Sequence, residues 1–251
     1  MNLAIYIIAG LISGVATGFV GLSAAVIIVP LFSVVLNMDP YVAIGIALTS
    51  DIIGSGSSAI TYAHHNNLNV KGAWPMLIVV LATTLFSTYL SSLGNTETLA
   101  PIMNITAILL GINFFYSGSH PNPLESFHFK KSTLISVICA IPIGFVCGYI
   151  GAGGGIMLLI VLQVILNYDT KTAVGTSVFI MAFIAMVGGA GHIILGGTNL
   201  QALGITAGCG FIGAKFAAIL ANHISQKKLN YIIGVFLIFF GIILSILYHF
   251  N

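Results

Sequence analysis

This chain of 251 residues is nearly devoid of charge: 5% of it is Asp, Glu, Lys or Arg, against roughly a quarter in an ordinary soluble domain. It has no arginine, and its lysines are Lys71, Lys130, Lys131, Lys171, Lys215, Lys227 and Lys228. A net charge of +2 without a dense lysine cluster excludes a phosphate-gripping surface, so no nucleic-acid partner is expected. Cysteine is scarce as well. Cys139, Cys147 and Cys209 lie in apolar stretches without CxxC or metal spacing, so they read as small core residues, and no metal or cofactor is expected. The phosphate loop Gly-x4-Gly-Lys-Ser/Thr is absent, so any energy for work must come from gradients. No connection is long enough to hold a soluble domain, the longest polar stretch being Ser117 to Ser132.

What the chain has in abundance is hydrophobicity, 58% of residues with a mean hydropathy of +1.12. That composition predicts an all-α polytopic membrane protein in contact with a lipid bilayer. The start, Met1-Asn2-Leu3-Ala4, lacks the positive region of a secretory leader, so the first segment is expected to be a retained span. Apolar blocks cover residues 3–36, 41–63, 73–92, 99–117, 133–166, 172–195, 201–222 and 229–248. Six of these suit one crossing of a hydrocarbon core of about 30 Å. The first and fifth do not, because a helix of about 34 residues would run roughly 51 Å. Each of these long blocks has a glycine run at its centre, so each is expected to be two helices broken there, as a hairpin or a re-entrant segment.

Lysine placement supports that reading. If each long block crosses once, the six loop lysines divide evenly between the two sides. If each goes in and returns, all six fall on one side, as the positive-inside rule prefers. The lysine-bearing side is then cytoplasmic, and both termini face outward from a cell membrane of bacterial inner-membrane type. Each half has an odd number of segments on this reading, so the halves have inverted topology.

The halves also resemble each other. A gapless shift of 130 pairs Gly14, Gly18, Gly21, Gly45 and Gly111 with Gly144, Gly148, Gly151, Gly175 and Gly241. It also pairs Asn37-x-Asp39 with Asn167-x-Asp169, and Asn69 with Asn199. The expected plan is two inverted-topology repeats, each with a Gly-broken first helix and three further transmembrane helices. Repeat 1 is 1–121, a cytoplasmic linker is 122–131 and repeat 2 is 132–251, within one membrane domain.

Several residues in this plan could carry chemistry. Gly14-x3-Gly18 and Gly144-x3-Gly148 are small-xxx-small patterns that let helices pack closely. Gly151-Ala152-Gly153-Gly154-Gly155 is too glycine-rich for a comfortable helix interior. A helix restarting there would offer N–H groups and a positive dipole end to an anion. Its counterpart, Gly21-Leu22-Ser23-Ala24-Ala25, keeps one glycine and adds a hydroxyl. Thr176 and Ser177, near a span start, either face the site or bond to their own helix. Asp51, His192 and Lys215 are embedded ionisable residues, candidates for coupling or counter-charge. Lys215 either snorkels to the surface, supplies charge to an anion cavity or pairs with Asp51. His192 has an interfacial and a proton-carrying reading. Asp39 and Asp169 with Asn37 and Asn167 read as turn and cap residues.

These residues resemble the sulfite exporter TauE/SafE family of bacterial permeases. The resemblance covers essentially the whole chain. It is carried by the duplicated glycine segment ending in Gly151-Ala152-Gly153-Gly154-Gly155, by Ala173-Val174-Gly175-Thr176-Ser177, by Gly191-His192-Ile193 with Gly196, and by Pro30-Leu31. It implies a permease, not an enzyme, for small sulfur-containing anions such as sulfite or organosulfonates. In the first half the chain departs from the family pattern, with Ser23-Ala24-Ala25 for the glycine run, Ile46-Ala47 for Thr-Ser, and His64-His65 where basic residues are common. The site expected from these readings comprises Gly21, Ser23, Gly151, Gly153, Gly154, Gly155, Thr176 and Ser177, with Asp51, His192 and Lys215 for coupling. Proton coupling and a homodimer are compatible with it. Two other readings are a passive anion channel and an intramembrane serine hydrolase using Ser23 and His192.

Overall fold

The computed structural model of the protein describes residues 2–91, 112, 132–151, 154–194 and 198–249. The block expected at 99–117, the linker 122–131 and Gly153 lie largely or wholly outside the described residues. Among the described residues there is no strand and there are nine α-helices. They are α1 (Asn2–Val20), α2 (Ala25–Val35), α3 (Pro40–His64), α4 (Trp74–Ser91), α5 (Ser132–Ile150), α6 (Gly154–Ile160), α7 (Thr170–Ile194), α8 (Leu200–His223) and α9 (Gln226–His249). A π-helical stretch, Val161–Ile165, continues α6. Four of these helices, α1, α3, α7 and α8, are long and apolar enough to cross a bilayer by length and composition.

Helix ends recur at the same spacing as the sequence repeat. Asn2–Val20 and Ser132–Ile150 differ by 130 at both ends, as do Pro40–His64 and Thr170–Ile194. Local chemistry explains these ends. After α1 and α5 the chain takes a left-handed step at Gly21 (φ 72°) and Gly151 (φ 74°), a conformation that disfavours any side chain. Their amides donate to the carbonyls of Thr17 and Cys147, each at 2.9 Å. The left-handed residues Asn37 (φ 48°) and Asn167 (φ 54°) then close the turns before α3 and α7. Asp39 Oδ1 caps α3 by accepting from the Tyr41 amide at 2.8 Å, and Pro40 opens the helix where its missing N–H costs nothing. Asp169 Oδ2 takes the matching role toward the Thr172 amide at 3.4 Å.

The helices interlock across the two halves. α1 packs against α8, α4 against α5, and α3 against α7. Small residues make the closest approaches. A Cβ at Gly14 would strike the Gly210 carbonyl, and one at Gly18 would strike the Ala214 carbonyl on α8. On the other side, Gly144 and Gly148 meet Thr83 and Ser87 of α4, whose Thr84 and Ser87 hydroxyls donate to the Gly144 carbonyl at 3.2 and 3.1 Å. The four glycines of the small-xxx-small patterns are therefore packing residues. The outer surface is apolar, with Leu85, Phe86, Tyr89, Ile212 and Phe216 exposed, as a lipid-facing belt requires.

Gly148→Val is expected to lower the melting temperature in detergent, through an overpacking cost of about 1–3 kcal/mol. Gly204→Ala, where an added Cβ meets nothing within 4 Å, should leave it unchanged or slightly raised. Equal melting of the two variants would contradict the close α4–α5 contact.

Candidate functional site

The segments that follow α1 and α5 meet in the interior. In an apolar interior, a carbonyl left behind where a helix stops must find a donor within the protein. Ser23 Oγ donates to the Gly151 carbonyl at 3.2 Å, bridging the two segments. Ser177 Oγ, from α7, reaches the Gly21 carbonyl at 3.4 Å and the Gly155 carbonyl at 3.3 Å. Thr17 Oγ1 donates to the Leu22 carbonyl at 2.8 Å. Gly155 lies so close to Gly21 that a Cβ there would strike the Gly21 carbonyl. Gly21, Ser23, Gly151, Gly155 and Ser177 thus form one buried cluster.

Asp51 joins this cluster. The carboxylate is buried in α3, accepting from the Ala24 amide on Oδ2 at 3.2 Å and from the Ser55 hydroxyl on Oδ1 at 2.8 Å. It sits at the start of α2, where a helix offers unpaired N–H groups and its positive end. Ala25 N, the next donor, is met by Ser23 Oγ at 3.3 Å. At the shift of 130 the counterpart of Asp51 is Met181. Its sulfur lies 3.6 Å from where a Cβ of Gly154 would stand, at the start of α6. One helix start therefore carries a carboxylate, and the other a thioether and Cys147.

Other expected site residues lie elsewhere. Thr176 Oγ1 accepts from the Asn69 amide at 3.1 Å and so fastens the loop after α3. Lys215 is exposed on the apolar outer face of α8, its ammonium 5.7 Å from the Phe211 ring centroid. Among the described residues Lys215 is not a partner of Asp51. His192, in the last turn of α7, is buried against Tyr41 with ring centroids 4.4 Å apart. Among the described residues its nitrogens have no hydrogen-bond partner, and Ser23 Oγ is engaged with Gly151, so Ser23 and His192 are not hydrogen-bonded to each other. Sequence reasoning missed Thr17 and Tyr41. It also missed the buried network at the cytoplasmic-side turn expected near Lys171, where Thr170 Oγ1 accepts from Gln163 at 3.1 Å and donates to Asn230 at 2.6 Å. Among the described residues no group of three or more His, Cys, Asp or Glu is placed to hold a metal ion.

Comparison with known proteins gives a consistent picture. A family model described as "Sulfite exporter TauE/SafE" matches residues 6–244. The chain is 25% identical to the "Probable membrane transporter protein YunE" of Bacillus subtilis, covering 96% of both chains. It is also 25% identical to the "Probable membrane transporter protein YdhB" of the same organism, covering 86% of this chain and 91% of the relative. A third relative, the "Probable membrane transporter protein ORF9" of a Sinorhizobium species, is 25% identical over 83% of this chain and 77% of its own length. No solved structure matches the chain.

Asp51→Ala would strand the Ala24 amide and the Ser55 hydroxyl in the interior, at a cost of about 1–3 kcal/mol. Hydrogen exchange at the start of α2 should rise well above that of the wild type. Unchanged protection at Ala24 in the variant would show that the carboxylate does not hold that end.

Proposed function

The chain belongs to the sulfite exporter TauE/SafE family, and from that membership we propose that it is a secondary permease moving small sulfur-containing anions, such as sulfite or organosulfonates, across the cell membrane. That it is a multi-pass membrane protein of a transporter family is established by the family match together with its apolar helices. The substrate class, the mechanism and the orientation are the proposal. The lysine distribution supports a cytoplasmic face at the turns near Lys71, Lys171 and Lys227, with both termini outside. The repeated helix ends support two repeats of inverted topology, 1–121 and 132–251, each with a first helix broken at glycine and joined by a linker at 122–131.

One observation carries the substrate site: the two helix junctions meet at Gly21, Ser23, Gly151 and Gly155, inside the interlocked halves. Helix starts that meet near mid-membrane suit an anion, because each offers N–H donors and a positive dipole end. The junctions are unequal. α2 already has the Asp51 carboxylate on its first turn, so the substrate anion belongs at the second junction, with Gly151, Gly153, Gly154 and Gly155. Ser23 and Ser177, now bonded to glycine carbonyls, become donors to substrate when the junctions part. The described arrangement is then a closed form, and rocking of the interlocked helices opens the site to either side. Asp51 and His192 are the groups available for proton coupling, and Lys215, on the outer face, serves the membrane surface.

Purified protein in liposomes is expected to accumulate labelled sulfite or a sulfonate against its own gradient when a proton gradient is imposed. Equilibration without accumulation would instead make it a channel. Gly155→Val, which drives a side chain into the Gly21 carbonyl, should cut uptake by on the order of tenfold or more. Wild-type uptake by a Gly155→Val protein that inserts and melts normally would sink the junction as the site.

A further inference from the structure

A second convergence of polar groups lies on α7, far from the junctions. His192 and Ser177 are 15 residues apart on that helix, which separates them by roughly 22 Å. His192 is fully buried, and among the described residues neither Nδ1 nor Nε2 has a hydrogen-bond partner. Tyr41, in the first turn of α3, packs on the imidazole at 4.4 Å with the rings inclined by 45°. Its hydroxyl is buried and unpartnered too. The backbone fixes this pairing, since Gly189 closes on Thr49 of α3 and Gly191 on Thr88 of α4.

A neutral imidazole presents one donor and one acceptor in either tautomer. Buried polar groups in native proteins find a partner, so two empty ring nitrogens beside an empty hydroxyl mark a place for an occupant. Protonation changes what that occupant can be. Imidazolium has two N–H donors and no acceptor, and the Tyr41 O–H supplies a third donor. One imidazolium N–H together with the Tyr41 O–H, on rings 4.4 Å apart, suits an oxyanion. Asp39 stands two residues before Tyr41, with its carboxylate turned to the Tyr41 and Val42 amides of α3. Among the described residues, no charged side chain from the packed elements acts on the imidazole.

We propose that His192 and Tyr41 form an anion station at this end of α3 and α7, which takes up one small oxyanion together with one proton. The proton binds the free imidazole nitrogen, and the anion bridges the imidazolium and the Tyr41 hydroxyl. The station deepens the permease reading and rests on it: on the expected orientation it lies at the outer side, where arriving substrate would collect a proton before reaching the junctions.

Methanesulfonate is the probe, because its own charge does not change in the range tested. Its binding to the purified full-length chain in detergent would be followed by titration calorimetry at pH ~5.5 and ~8, on either side of the ordinary imidazole range. Two buffers of different ionisation heat report the protons taken up. The wild type should bind about tenfold or more tightly at the lower pH, with up to about one proton taken up per anion. His192→Asn should abolish both the pH dependence and the proton uptake. Tyr41→Phe should weaken binding at the lower pH while leaving proton uptake in place, and it serves if His192→Asn does not fold. Binding by the wild type that is indifferent to pH, or a pH dependence that survives in His192→Asn, overturns the station. If liposome uptake of methanesulfonate persists in either case, the station alone has failed. Absence of both binding and uptake for methanesulfonate and sulfite fails the permease reading along with it.

Discussion

A backbone carbonyl released inside a bilayer must be met by a donor from the protein itself, and the interior of this molecule is arranged around that requirement. At the junctions after α1 and α5, hydroxyl side chains meet several of these carbonyls, Tyr62 among them at Gly18. Thr17 serves the Leu22 carbonyl, Ser23 serves Gly151 and Ser177 serves Gly21 and Gly155. The donors left at the start of α2 are met in the opposite sense by acceptors, Asp51 and Ser23. Two of these bonds, Ser23 to Gly151 and Ser177 to Gly21, join segments from different halves of the chain. The groups that make the helix ends tolerable therefore also hold the halves together.

How much of this was legible in the sequence depends on range. Apolar density specifies a helical membrane protein, because only helices and closed barrels satisfy the backbone in lipid. Asn37, Asp39, Asn167 and Asp169 announce their turns, since each acts within three residues of its own position. Small-xxx-small spacing identifies Gly14, Gly18, Gly144 and Gly148 as packing residues. It says nothing of their partners, and the glycines of α1 meet α8 while those of α5 meet α4. Asp51 shows the same limit. Its isolation in an apolar span marked it as important, and a lysine or a proton was the natural partner to expect. Its actual partner on the helix, the Ala24 amide, is a backbone group that no residue pattern reveals. Tyr41 went unnoticed because an interfacial tyrosine is ordinary in a membrane protein until a buried histidine is found against it.

The two halves are chemically unequal at corresponding positions. The shift of 130 places Ser23 opposite Gly153 and Asp51 opposite Met181. The first half carries groups that close its own helix start, and the second has glycine and sulfur there. Symmetry of helix ends thus coexists with asymmetry of charge. The helix ends correspond while the side chains at the two junctions do not.

The packing of α1 on α8 bears on how the molecule is made. Gly10, Gly14 and Gly18 line a ridge that fits only the surface around Thr206, Gly210 and Ala214, about 200 residues later in the chain. A ribosome delivering this protein into a membrane releases α1 long before that surface exists. Throughout that interval the glycine ridge faces lipid with nothing to fill its grooves, and α4 waits in the same way for α5. Until the second half arrives, α1 and α4 lack the helices they pack on most closely, while α1, α2 and α3 already have one another. Assembly is then a late event governed by the end of the chain, and a message truncated before α8 leaves an inserted protein that cannot complete itself.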